Sequence, residues 1–191
     1  FSLIRRCNLI IEQASASAGL SEKDKKELVA EGKMLRAMIY YYQAKHCGRV
    51  IWVDRTLQVD DEFNLPLTES IDKTYDLILN DLDEAIAGLP ETYPAGRANA
   101  NAARALKSEV CLTAAAYSTD AARKKKLWEQ AVVAVDAIRG YSLDANYGGM
   151  FNQENPYSSS EIILARYFSK ENTNGGDTYM QMVIPNQGND N

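Results

Sequence analysis

The sequence predicts a mostly α-helical protein built from antiparallel helix pairs and followed by an irregular, loop-rich C-terminal part. Three observations carry this prediction. Five stretches repeat apolar residues at the three-to-four-residue spacing that puts them on one face of a helix. Most of these stretches open on a residue that caps helices well, and two run into a glycine where the pattern ends. After Gly140 the periodicity stops, and Asn, Gly and Tyr dominate instead.

The first helix is predicted near 3–17, where Leu3, Cys7, Ile10, Ile11 and Ala14 share a face before the small-residue linker "SASAG". The second is predicted near 21–46. Ser21 followed by Asp24 resembles a capping box, Leu28, Leu35, Ile39 and Tyr42 line one face, and Gly48 provides the stop. "RVIWVD" (Arg49–Asp54) is strand-like, and the proline-containing "RTLQVDDEFNLPLTES" after it reads as a connecting loop. The third helix, near 70–88, takes Ser70 or Thr68 as its cap, carries Ile71, Tyr75, Ile78, Leu82 and Ile86 in step, and closes on "GLP".

A fourth helix near 99–117 follows the polar turn "ETYPAGRANAN", with Asn99 or Asn101 as cap and Ala103, Leu106, Val110 and Ala114 on its face. A fifth, near 124–139, runs through Trp128, Ala131, Val132, Val135 and Ile138 to Gly140, and this pattern assigns Trp128 to the core. Small residues in both let the axes approach closely, so Asn99–Gly140 reads as a helix–turn–helix unit of tetratricopeptide size, although the full motif of that repeat is absent. Beyond it, "IILARYF" is strand-like within otherwise loop-like sequence.

Composition narrows the function. The 191 residues are 46% hydrophobic and 25% charged, the balance of a globular domain with a real core. A net charge of −5 gives no overall positive field for phosphates, which counts against nucleic acid or an anionic membrane as the main partner. "ARKKK" (Ala122–Lys126) is the only strong basic run and reads as an exposed helix start. No apolar run approaches the roughly 20 residues of a membrane span. The chain opens inside a helical pattern without an initiator Met and is read as a segment of something longer.

Catalytic and metal chemistry find little support. The only histidine, His46, lies beside Cys47, but zinc requires about four ligands and no further His or Cys-x-x-Cys accompanies them. Adjacent helical residues point about 100° apart, so the two do not face each other as nucleophile and base. A plain helix C-terminus, where the dipole favours His, is the better account. Cys7, Cys47 and Cys111 all sit in helical patterns and read as buried free thiols. Asp60–Asp61–Glu62 lacks the opposed geometry of a glycosidase pair and reads as a solvated turn. Tyr40–Tyr41–Tyr42 covers about 200° of helix surface, so at least one ring must leave the core face.

Several stretches together resemble the SusD/RagB family of outer-membrane nutrient-binding lipoproteins. In order they are "RRCNLIIE" (5–12), "AEGKMLRAMIYYYQAKHCGRV" (30–50), "YDLILNDLDEAIAGLP" (75–90), "GRANANAARALKSEVCL" (96–112), "WEQAVVAVDAI" (128–138), "YSLDANYGGMF" (141–151) and "SSEIILARY" (159–167). Each is weak alone, and their shared order over nearly the whole chain is specific. The family's Gly–Gly–Val–Pro–Leu is Gly48–Arg49–Val50–Ile51–Trp52 here, and its Thr–Lys after Gly–Arg is Ala98–Asn99. Glu31 and Arg36 recur in the family pattern, and a structural ion pair or a tie to a neighbouring helix is the role read for them.

The resemblance implies a tetratricopeptide-like helical region (1–140) and the loop-rich start of an irregular ligand-binding part (141–191) within one incomplete domain. It implies a lipid-anchored cell-surface protein of the outer membrane that captures oligosaccharide for a SusC-type TonB-dependent transporter. Neither catalytic residue, cofactor nor metal is implied. Sugar binding needs an aromatic platform and fork-like hydrogen-bonding groups, which "KENTNGGDTYM" offers as Asn172, Asn174, Asp177 and Tyr179. A glycine-rich loop without ligand is the plain alternative for this stretch. A helical-repeat scaffold that binds only protein is the alternative for the whole chain.

Overall fold

The computed structural model describes residues 2–61, 64–94, 96–148 and 159–165. Among these residues five helices appear in order: α1 (Ser2–Ala16), α2 (Glu22–Cys47), α3 (Ile71–Gly88), α4 (Ala100–Tyr117) and α5 (Ala121–Asp136). Each packs on the next, and no strand forms among the described residues. The strand-like stretch at Arg49–Asp54 therefore fails as a strand, as does the described part, 162–165, of the second one. Segment 50–57 is extended, with Thr68 N donating to Val50 O at 2.8 Å as its one backbone pairing to another segment among the described residues, and 159–165 is a run of turns.

Local chemistry explains the boundaries. Ser21 Oγ accepts from Asp24 N at 3.1 Å and donates to Asp24 Oδ2 at 2.7 Å, closing the start of α2. Ser70 caps α3 through Lys73 N and Asn99 caps α4 through Ala102 N, so Thr68 and Asn101 are not the caps. Asp120 Oδ1 accepts from Ala122 N and Arg123 N, which starts α5 three residues before the predicted position and places the basic run inside its first turns. Gly48 ends α2 at φ 73°, a conformation costly for any residue with a Cβ.

The core runs through the stack on Tyr40, Tyr41, Tyr75, Ile78, Leu82, Val110 and Cys111. The stripes predicted for α3 and α4 lie on it, with Ile71, Ile86 and Leu106 at its margin. Those of α1 and α2 are shifted. In α1 the buried residues are Ile4, Cys7, Asn8 and Ala14, while Leu3 and Ile10 are exposed. α2 lies between α1 and α3 and buries Ala30, Met34, Arg36, Ala37, Tyr40, Tyr41 and Ala44, so its predicted line of Leu28, Leu35 and Ile39 is only half-buried and Tyr42 is exposed. α2 and α3 approach closely at Gly88, where a Cβ would come within 2.6 Å of Ala30 Cβ.

The fifth helix corrects the reading of Trp128. Its buried residues are Leu127, Ala131 and Ala134, and Trp128 is 53% exposed beside the exposed Val132 and Val135. Two apolar faces compete on this helix, and the one that carries Leu127, Ala131 and Ala134 packs on α4, while Arg123 at its start pairs with Asp72 and Asp76 of α3.

The buried polar centre joins three helices. Arg36 Nε and Nη2 donate to the two oxygens of Asp81 at 2.7 and 2.8 Å, and Nη1 donates to Asn8 Oδ1 at 2.9 Å and to Asp54 O at 3.0 Å. Asn8 Nδ2 in turn donates to Val53 O and Arg55 O. Tyr40 Oη accepts from Val53 N at 2.6 Å, and its ring stacks on Trp52 with centroids 4.2 Å apart. Burial opposes the Arg36 charge, but Asp81, joined by Asp54 and Tyr40, raises the guanidinium pKa above its usual value.

Candidate functional site

Residues 141–148 and 159–165 return onto the helices and pair with each other. Ser142 N donates to Ser160 O at 3.3 Å, Ser160 Oγ to Ser142 O at 3.1 Å, and Asp144 N to Glu161 Oε2 at 2.9 Å. The Asn146 N–H, followed by Ser159, holds the Asp144 carboxyl below its usual range. This ladder joins "YSLDAN" to "SSEI", so Glu161 has a structural task.

Where the returning segment meets the turn before α4 there is a cleft of about 210 Å³ lined by Tyr93, Arg97, Asn99, Tyr141 and Ile163. Arg97 lies over the Tyr93 ring at 4.2 Å, its Nε donates to Glu31 Oε1 at 3.2 Å, and its Nη2 donates to Glu31 Oε2. Glu31 raises the guanidinium pKa of Arg97. Tyr93 Oη donates to Glu27 at 3.1 Å, and Asn99 Nδ2 donates to Tyr141 Oη at 3.4 Å. Arg97 follows Gly96, whose φ of 85° needs a residue without a Cβ. With these groups engaged within the protein, the cleft is a joint that pins the Gly96–Arg97 turn to α2. Glu31 is thus the helix tie anticipated from the sequence, and Arg36 the structural ion pair.

A second cavity of about 340 Å³ opens beside the start of α1, lined by Ile4, Ile51, Val53, Leu57 and Leu65 with Arg5 and Arg55 at its edge. Arg55 is occupied by both oxygens of Asp61 at 2.7 Å. That contact, followed by the Gln58 N–H, pulls the Asp61 carboxyl down to about 2, so the acid of this turn is a paired group. A third cavity, between α2 and α4, is lined by Met38, Tyr42, Lys45, Leu106, Glu109 and Leu164.

The binding residues predicted from the sequence, Asn172, Asn174, Asp177 and Tyr179, lie outside the described residues. His46 and Cys47 occupy the last turn of α2, both exposed, as a helix end requires. All three cysteines are free, but Cys47 is exposed, so only Cys7 and Cys111 fit the expectation of burial. Tyr42 is the ring that leaves the core. The buried partners Asn8 and Asp81 were missed, and one signal could have found Asp81. It opens the Asp–Leu–x–x–Ala match at Asp81–Ala85, as Arg36 sits in Leu35–Arg36–Ala37, so both matched patterns mark a core ion pair.

No protein-family profile matches the chain. A curated SusD-like protein from Bacteroides ovatus is 25% identical over 172 residues, which are 87% of this chain and 31% of that protein. A crystal structure of a SusD-like protein from Bacteroides fragilis aligns over 87% of this chain and 32% of its own, with 32% identity and a TM-score of 0.73. A crystal structure with xylogluco-oligosaccharide aligns over 88% of this chain and 34% of its own, with 26% identity and a TM-score of 0.73. A laminarin-binding SusD-like protein aligns over 84% and 34%, with 26% identity and a TM-score of 0.70. The chain spans about a third of the length of the curated relatives it matches. Among the described residues no helix is long and apolar enough to cross a membrane. The curated and structural neighbours of this helical chain are SusD-like proteins, and it corresponds to about a third of each.

Proposed function

We propose that the chain is part of a cell-surface protein that captures oligosaccharide and passes it to a SusC-type TonB-dependent transporter, without chemistry on the ligand. The observation that carries this reading is that neighbours of the same helical fold are described with xylogluco-oligosaccharide or as laminarin-binding. A lipid anchor at the outer membrane belongs to the same reading, as does a division at residue 140 into a helical region and a ligand-binding part. The helical part is the transporter-facing body, since packed helix pairs joined by the buried Arg36–Asp81 pair give a stiff surface, and loops after Gly140 are left to meet the ligand.

Within those loops Asn172, Asn174, Asp177 and Tyr179 are the proposed glycan contacts, with Tyr179 as stacking platform. A glycan array on the full-length protein, followed by titration calorimetry of the best binder, tests this. Tyr179→Ala should weaken binding by about 1–2 kcal/mol with the melting temperature unchanged. Unchanged affinity would remove this loop from the site, and an array without any binder would favour the protein-only scaffold.

A further inference from the structure

We infer a second carbohydrate-contacting surface in the groove between α2 and α4, with Tyr42 as the platform for the apolar face of a pyranose and Glu109 and Lys45 as the fork for its hydroxyls. The inference rests on the glycan-binding reading above and adds a site on the helical part, built from residues other than Asn172, Asn174, Asp177 and Tyr179.

The groove follows from the way the helices stack. α2 and α4 both pack on α3 and also approach each other directly, which leaves a groove between them. Met38, Tyr42 and Lys45 lie at i, i+4 and i+7 on α2 and share a face toward Leu106 and Glu109 of α4. The enclosed volume is about 310 Å³, at the small end of ligand pockets.

Three features distinguish this groove from the others. Tyr42 is 61% exposed, whereas its neighbours Tyr40 and Tyr41 are buried, so an aromatic face is presented on a rigid helix. Glu109 is fixed through one oxygen only: Oε1 accepts from Tyr41 Oη at 2.9 Å and from Lys45 Nζ at 3.4 Å, and Oε2 has no protein partner among the described residues. Tyr41 Oη is itself held by Thr113 Oγ1 at 2.8 Å, and the Lys45 ammonium lies 5.1 Å from the Tyr41 ring centroid, which positions both charged groups before any ligand arrives. An exposed ring beside an oriented carboxylate and ammonium with spare capacity is the chemistry that recognises sugars. In the cleft at Tyr93 Arg97 covers that ring and Asn99 engages the Tyr141 hydroxyl, and among the described residues no aromatic side chain lines the cavity at Ile4.

The test uses the full-length protein. An array of plant, algal and microbial oligosaccharides, laminarin and xyloglucan fragments included, identifies a binder. Calorimetry and melting curves then compare wild type, Tyr42→Ala, Tyr42→Phe, Glu109→Gln and Tyr179→Ala. Tyr42→Ala should weaken binding about 5- to 30-fold, the loss of one aromatic contact. Tyr42→Phe should keep the affinity, since stacking needs the ring, and Glu109→Gln should weaken binding with melting unchanged. Unaltered affinity in both Tyr42→Ala and Glu109→Gln while Tyr179→Ala weakens it would overturn this surface and leave the glycan reading standing. A lowered melting temperature in Tyr42→Ala with unaltered affinity would also overturn it, marking the groove as a packing seat for another part of the polypeptide. An array without a binder would overturn both readings.

Discussion

Removing the carboxylate of Asp81 is the sharpest test of how the helices are held. Arg36 and Asp81 are both nearly inaccessible, and Asp81 supplies two of the four hydrogen bonds made by the guanidinium. In Asp81→Ala the Arg36 charge stays buried with only Asn8 Oδ1 and Asp54 O as acceptors. Breaking one side of a buried pair typically costs about 3–5 kcal/mol, because the remaining charge has lost its compensation. For a chain of this size that lowers the melting temperature by about 6–20 °C. Replacing both residues, as Arg36→Met with Asp81→Leu, removes the uncompensated charge but orphans Asn8 Oδ1. The loss should then fall to about 1–3 kcal/mol, the cost of one unsatisfied buried acceptor. Urea unfolding of the chain followed by circular dichroism at 222 nm measures all three proteins. An Asp81→Ala cost below about 1 kcal/mol would refute the reasoning, because it would mean that water reaches Arg36.

Two further outcomes follow from burial. Leu127→Ala should destabilise by about 2–5 kcal/mol through its cavity, whereas Trp128→Ala, at a half-exposed position, should cost less than about 1 kcal/mol in thermal melts. Equal losses would mean that the register of α5 is wrong. Burial pushes the Cys111 thiol up to about 11 and raises that of Cys7, so at pH 8 little thiolate forms at either, and both are shielded. A chromogenic disulfide reagent should therefore titrate one thiol per native chain, Cys47, and three after denaturation; two fast thiols in the native chain would count against the packing described.

What the sequence by itself determined is local. Ser21, Ser70 and Asn99 announce helix starts because a cap needs only its own next few residues, and spacing along α3 and α4 names their buried faces because each has one dominant apolar stripe. The end of α5 shortly before Gly140 and the departure of one tyrosine from the core were legible for the same reason. The tertiary structure decided what depends on neighbours. α2 is packed on more than one side, so no single stripe describes it, and α5 has two apolar faces of which α4 covers one, leaving Trp128 outside. Asn8 and Asp81 reach Arg36 across 28 and 45 residues of sequence, and Glu31 reaches Arg97 across 66. Periodicity carries no information about such pairs. Only the stacking of the helices brings them within hydrogen-bonding distance, where burial makes a satisfied partner obligatory.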